Sequence, residues 1–222
     1  MSSRIEDYAL IGDCETAALV SIDGSIDWLC WPRFDSGACF AALLGTPDNG
    51  RWKIAPADPT ASVRRRYRGD TLILETEFTT EDGVALLIDF LPVRNGRSDL
   101  VRIVRGIRGT VTMRADIALR FDYGSVVPWV SRVNDRTHRA VAEPDLVTLK
   151  SDVDVHGEGL HTVGDFVVHE GDSRSFVLTW SPSHQPVPDD IDAEEELRRS
   201  DALWTEWAGR GGAHTRGSTA TP

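Results

Sequence analysis

No apolar run in these 222 residues approaches the ~18 that a membrane-spanning helix needs, and the opening MSSRIEDYAL lacks the basic-then-apolar order of a secretory signal. A chain in the cytoplasm, with no membrane partner, is therefore expected. Cysteine is scarce and odd in number: Cys14, Cys30 and Cys39 follow no CxxC spacing and sit among small or apolar neighbours, so they read as buried free thiols. Basic residues are outnumbered, 24 against 35 acidic ones, for a formal charge of −11. A surface of that sign repels a phosphate backbone, which excludes nucleic acid as the expected partner. The one basic cluster, Arg64-Arg65-Arg66 with Arg68, reads as the solvated face of a strand. Missing too are GxGxxG, the P-loop and GxSxG, and the six histidines show no ligand spacing. Asp152, Asp154 and His156 alternate, but oxygen and nitrogen donors in that order are too common to define a metal site. No cofactor and no metal are expected.

What is present is a chain with 41% hydrophobic residues, enough to bury a core, and a persistent two-residue periodicity. Met113, Ala115, Ile117, Leu119 and Phe121 share one face, while Arg114, Asp116 and Arg120 share the other. Further strands are expected at 84–91, 100–107, 146–150, 162–169 and 175–180. Asp23-Gly24, Asn49-Gly50 and Asp82-Gly83 supply turn chemistry suited to positive φ. With hairpins dominant, no helical period between strands and no fixed repeat, the expected fold is all-β, a two-sheet antiparallel sandwich.

After Trp180 the texture changes. SPSHQPVPDD carries three prolines and reads as an extended connector. A linker helix follows, with Asp192 placed to cap it and Ala193, Leu197, Trp204 and Ala208 at helical spacing. The expected organisation is a β domain over 1–180, a connector and helix over 181–210, and a disordered tail over 211–222.

The densest segment is YALIGDCETAALVSIDGSIDWLCWPRFDSGACFAALLG, from Tyr8 to Gly45. A strand from Ala17 turns at Asp23-Gly24 and returns from Ile26 to Trp31, where simple alternation puts Ile26, Trp28 and Cys30 opposite Asp27, Leu29 and Trp31. Pro32 ends the ladder, leaving Arg33, Phe34, Asp35 and Ser36 on a loop from which side chains can reach a ligand or a neighbouring domain. IEDYALIGD, AALVSIDGSIDWLCWPRFDS and FAALLG resemble the amino terminus of bacterial trehalase-like and glucoamylase-like members of glycoside hydrolase family 15. The likeness continues more loosely through GRWKIAP to WTEW at Trp204–Trp207. It implies an amino-terminal β-sandwich, a linker helix, and then an α/α barrel holding two catalytic glutamates, which is expected to be absent from this chain.

Inverting glycoside hydrolysis needs an acid and a base about 6.5 to 9.5 Å apart in a sugar-holding pocket, and no such set can be assigned here. The chain is therefore read as an accessory domain and not an enzyme as it stands. The resemblance implies that its partner is the barrel of the same polypeptide and its ligand an α-glucoside. Asp27, Trp31, Arg33, Phe34 and Asp35 are the candidates for the substrate rim or barrel contact, with Trp31 expected to be more exposed than Trp28. Trp204 and Trp207 are the candidates for interdomain contact, at least one of them exposed. The alternative is a carbohydrate-binding module acting alone through an aromatic platform.

Overall fold

The computed structural model describes residues 4–212. Its strands are β1 (Tyr8–Gly12), β2 (Ala17–Ser21), β3 (Ser25–Cys30), β4 (Ala38–Phe40), β5 (Arg51–Pro56), β6 (Ser62–Tyr67), β7 (Leu74–Thr79), β8 (Gly83–Phe90), β9 (Ser98–Ala118), β10 (Trp129–Asn134), β11 (Thr137–Ala142), β12 (Asp145–Ser151), β13 (His156–Glu158), β14 (His161–His169) and β15 (Ser173–Pro182). A single α-helix among the described residues, α1 (Ala193–Gly212), follows them. Gly211 and Gly212, expected in the tail, close this helix, and residues 213–222 lie outside the described residues.

All the pairings are antiparallel, as the hairpin signals imply, and the 15 strands form one continuous hydrogen-bonded sheet in place of two separate ones. The reason is β9. Two strands expected at 100–107 and 113–121 are one strand of 21 residues. Its first half pairs with β8 and β15, and its second half with β5 and β14. At the junction, Val84 pairs with Arg108 and Ala85 with Gly106, so Ile107 is an extra residue, a bulge that sharpens the local twist. The strands around the two halves share a core. Trp52 of β5 meets Phe176 of β15 edge-on at 6.4 Å, and Phe166 of β14 meets the same ring at 5.6 Å.

Turn geometry follows the sequence in two places of three. Gly24 and Gly50 have φ of 79° and 104°, but Gly83 is not among the positive-φ glycines. It is needed for close approach instead, because a Cβ there would lie 2.5 Å from the Arg108 carbonyl oxygen.

Helix α1 explains why β8, β9 and β15 lack clean alternation. Ala193 and Leu197 pack on Ile88, Phe90, Val101, Ile103 and Val177, the outward residues of these strands, so both strand faces are buried. The Asp192 carboxylate accepts from the Glu194 and Glu195 amides at 2.9 and 3.1 Å, the capping expected of it. Arg105 pairs with Glu194, and Arg68 reaches Asp201 at 3.7 Å.

Arg68 also joins Arg66 in holding Glu75, each at 2.8 Å, which corrects the view of this cluster as purely solvated. Burial alone raises the Glu75 pKa, but the two arginines outweigh it and hold the group below its ordinary 4.5. Asp116, half-buried and bonded to His161 and Arg51, is likewise held below 3.8. A depressed carboxylate stabilises the fold fully above its unfolded value and loses that contribution as pH falls through the lower folded one. Their contribution should therefore be level near neutrality and be lost once pH drops below about 4.5. Urea midpoints measured across that range should show the decline, and Glu75→Gln should reduce it; an unchanged acid limb in that variant would reject the assignment.

Candidate functional site

Alternation along β3 breaks at Asp27. Leu19 pairs with Trp28 and Val20 with Ile26, so Asp27 is a bulged residue with no cross-strand partner. The inserted residue reverses the parity beyond it. Ile26, Leu29 and Trp31 all enter the main core, while Trp28 and Cys30 join a separate small cluster with Ala38 and Ala41. The exposure assigned to Trp31 is thus corrected: it is 3% exposed and its indole N–H donates to Ser98 Oγ at 2.5 Å. Trp28 is the half-exposed one, its ring 6.0 Å from that of Tyr123.

Asp27 is also buried, and both carboxylate oxygens are occupied, by Ser25 Oγ at 2.5 Å and Tyr8 Oη at 2.7 Å. Arg33, Phe34 and Asp35 stand together on an exposed loop after β3. Arg33 donates to Asp35 at 3.0 and 3.3 Å, the internal pair that two oppositely charged neighbours favour, and the Phe34 ring is left in solvent. The structure therefore brings three of the five rim candidates together and separates Asp27 and Trp31 from them.

This loop is held from below by Arg94, a residue that no sequence signal marked. Arg94 Nε donates to Asp13 at 2.6 Å, one terminal nitrogen to Glu15 at 3.0 Å, and the other to the Pro32 carbonyl. Asp13, its side chain fully buried, also accepts from the Glu15 and Thr16 amides at 2.9 and 2.7 Å. The Phe34 amide donates to the Glu15 carbonyl at 3.0 Å. Of the cysteines, Cys30 and Cys39 are buried as expected, and burial pushes both thiols up, Cys39 strongly. Cys14 is exposed, contrary to expectation, at a turn residue with φ of 73°.

A cleft of about 490 Å³ opens between the β10–β11 hairpin and the β13–β14 hairpin. Arg120, His138 and His161 line it, together with apolar Val127, Val130 and Leu160. Arg120 was expected on a wet strand face; it is buried, wedged between the Leu119 and Leu160 carbonyls. The hairpin of β10 and β11 escaped the sequence reading because its turn, Asn134-Asp135-Arg136, carries no glycine.

An antiparallel β unit carrying a capped helix on its outer face, with a braced polar loop at one strand end, defines an all-β module joined to a helical extension. The chain belongs to the trehalase-like N-terminal family, whose model matches residues 1–204. It is 28% identical to a trehalase of Mycobacterium tuberculosis over 91% of this chain and 33% of that protein. A trehalase of Mycolicibacterium smegmatis is 30% identical over 91% of this chain and 34% of its own length, and one of Thermoplasma volcanium 25% identical over 92% and 34%. The chain spans about a third of the length of these curated relatives.

Proposed function

We propose that this chain is the amino-terminal accessory region of a family 15 glycoside hydrolase of trehalase or glucoamylase type, seated against a catalytic region outside these residues and bordering its active site on an α-glucoside. In this reading the folded-over sheet is a β-sandwich, α1 is the connecting helix, and Arg33, Phe34 and Asp35 form the rim that meets the catalytic region or its sugar. The observation that carries it is the asymmetry of α1. Trp204 is buried, whereas Trp207, one turn on and edge-to-face with it at 5.9 Å, is 66% exposed, and Leu203 is exposed as well. An indole and a leucine in water at the end of a helix mark an apolar surface suited to a further packed element. Relatives about three times as long have chain enough for such an element. The chemistry would then reside in that region, with this unit shaping access to it.

The reading is tested on the purified chain. Wild type should bind an apolar reporter dye and self-associate in sedimentation, and Leu203→Gln with Trp207→Ser should lower both by about half while far-UV circular dichroism is unchanged. A monomer that binds no dye would remove the support.

A further inference from the structure

The cleft between the two hairpins is unusual for a protein of formal charge −11, because two arginines, three histidines and no carboxylate line it. Two of these side chains already have acidic partners. Arg132 pairs with Asp135 at 3.0 Å and Asp154 at 3.7 Å, and His161 pairs with Asp116 at 2.6 Å, from carboxylates set outside the lining. Arg120 has none. Its residue is only 5% exposed, yet among the described residues it makes no ion pair; one terminal nitrogen donates to the Leu119 and Leu160 carbonyls at 2.7 and 3.2 Å. A guanidinium taken out of water gains from an anion, and carbonyl dipoles compensate only part of its charge. His138, 9% exposed, lies in the same lining, and its buried Nδ1 has no hydrogen-bond partner. Burial, and then the charge of Arg132, push its pKa below the ordinary 6.5, so the ring is neutral near pH 7 and keeps one nitrogen to donate and one to accept. His156 stands exposed at the cleft wall.

We propose that this cleft is a binding site for a small oxyanion, inorganic phosphate or the phosphate group of a sugar ester, with Arg120 supplying the charge and His138 a hydrogen bond. Arginine's planar fork suits phosphate oxygens, and Val127, Val130 and Leu160 give the cleft an apolar wall beside it. The cleft volume lies within the range of small-molecule sites and exceeds what a bare phosphate fills, leaving room for the carbon skeleton of an ester against the apolar wall. This inference does not rest on the glycoside hydrolase reading, since every residue it uses lies in this chain.

Titration of the isotope-labelled chain with inorganic phosphate, glucose 6-phosphate and glucose, at constant ionic strength set with chloride, tests it by amide chemical shifts. Both phosphates should shift residues 119–120, 130–132 and 157–162 saturably, with half-effect below about 10 mM, and glucose should not. Glucose 6-phosphate binding more tightly than phosphate would mark the ester as the ligand, and equal affinity the free ion. Arg120→Met should weaken binding about tenfold, and should that variant fail to fold, His138→Leu should weaken it by about threefold. Absence of a saturable shift with either phosphate, or the same shifts with glucose, would overturn the site, as would undiminished affinity in a folded Arg120→Met.

Discussion

Replacing Arg102 with methionine is expected to cost about 3 to 5 kcal/mol of stability, the largest loss from any single substitution outside the apolar core. Arg102 and Asp89 form an ion pair with no solvent exposure on either side chain. The guanidinium donates to Asp89 at 2.7 and 3.2 Å, to the Trp52 carbonyl at 2.6 Å and to the Gly24 carbonyl at 2.7 Å, and lies 5.0 Å from the centre of the Trp52 ring. One side chain thus ties β8, β9, β5 and the Asp23-Gly24 turn together at the centre of the molecule. Burial already pushes the Asp89 carboxyl up in pKa, against the pull of Arg102, so without the arginine that acid sits in the core with nothing to offset its charge. The double variant Arg102→Met with Asp89→Leu should recover much of the loss, because a hydrophobic pair of similar volume pays no desolvation. Equilibrium urea unfolding of the three proteins measures this. A single-variant loss under about 1 kcal/mol would show that the pair is not the tie it is described as.

The second large effect concerns the rim loop. Arg94→Met should lower stability by about 2 to 4 kcal/mol, because it leaves the Asp13 carboxylate buried with two backbone amides but no cation. It should also loosen the loop, since the Arg94 guanidinium joins Asp13, Glu15 and the Pro32 carbonyl at one point. Hydrogen exchange of the Phe34 amide, which donates to the Glu15 carbonyl, is the local readout and should accelerate more than the global loss of stability explains. Arg94→Lys keeps the charge but not the three-way fork, and should fall between. Unchanged protection at Phe34 in a folded Arg94→Met would separate the brace from the loop and weaken the case for a pre-formed rim.

Much of the β architecture was legible because it rests on local rules. Alternation placed the strands at β12, β14 and β15 close to where they lie, Asp23-Gly24 turned the chain with φ of 79°, and Asp192 capped α1. The family itself was readable from the run between Tyr8 and Gly45. The candidate site was legible only in part. Arg33, Phe34 and Asp35 are exposed because Pro32 stops the ladder, a local cause, whereas Trp31 and Asp27 were misplaced because a single bulged residue inverts every side chain beyond it. Nothing in SIDWLC announces that bulge.

The sequence by itself determined many of the strands, their antiparallel sense, the helix with its cap, and the kinship to trehalase N-terminal regions, since each is written in periods of two or 3.6 residues, in turn chemistry or in a contiguous run. Tertiary structure alone decided that β9 runs unbroken through 21 residues and joins all the strands in one sheet, and that α1 buries the outer face of β8, β9 and β15. It alone brought Arg102 to Asp89, Arg94 to Asp13 and Arg120 into the same cleft as His138. Arginine and aspartate look the same in a sequence whether they face water or one another. Which of these occurs depends on desolvation by residues many positions away, and desolvation exists only once the sheet has closed over them.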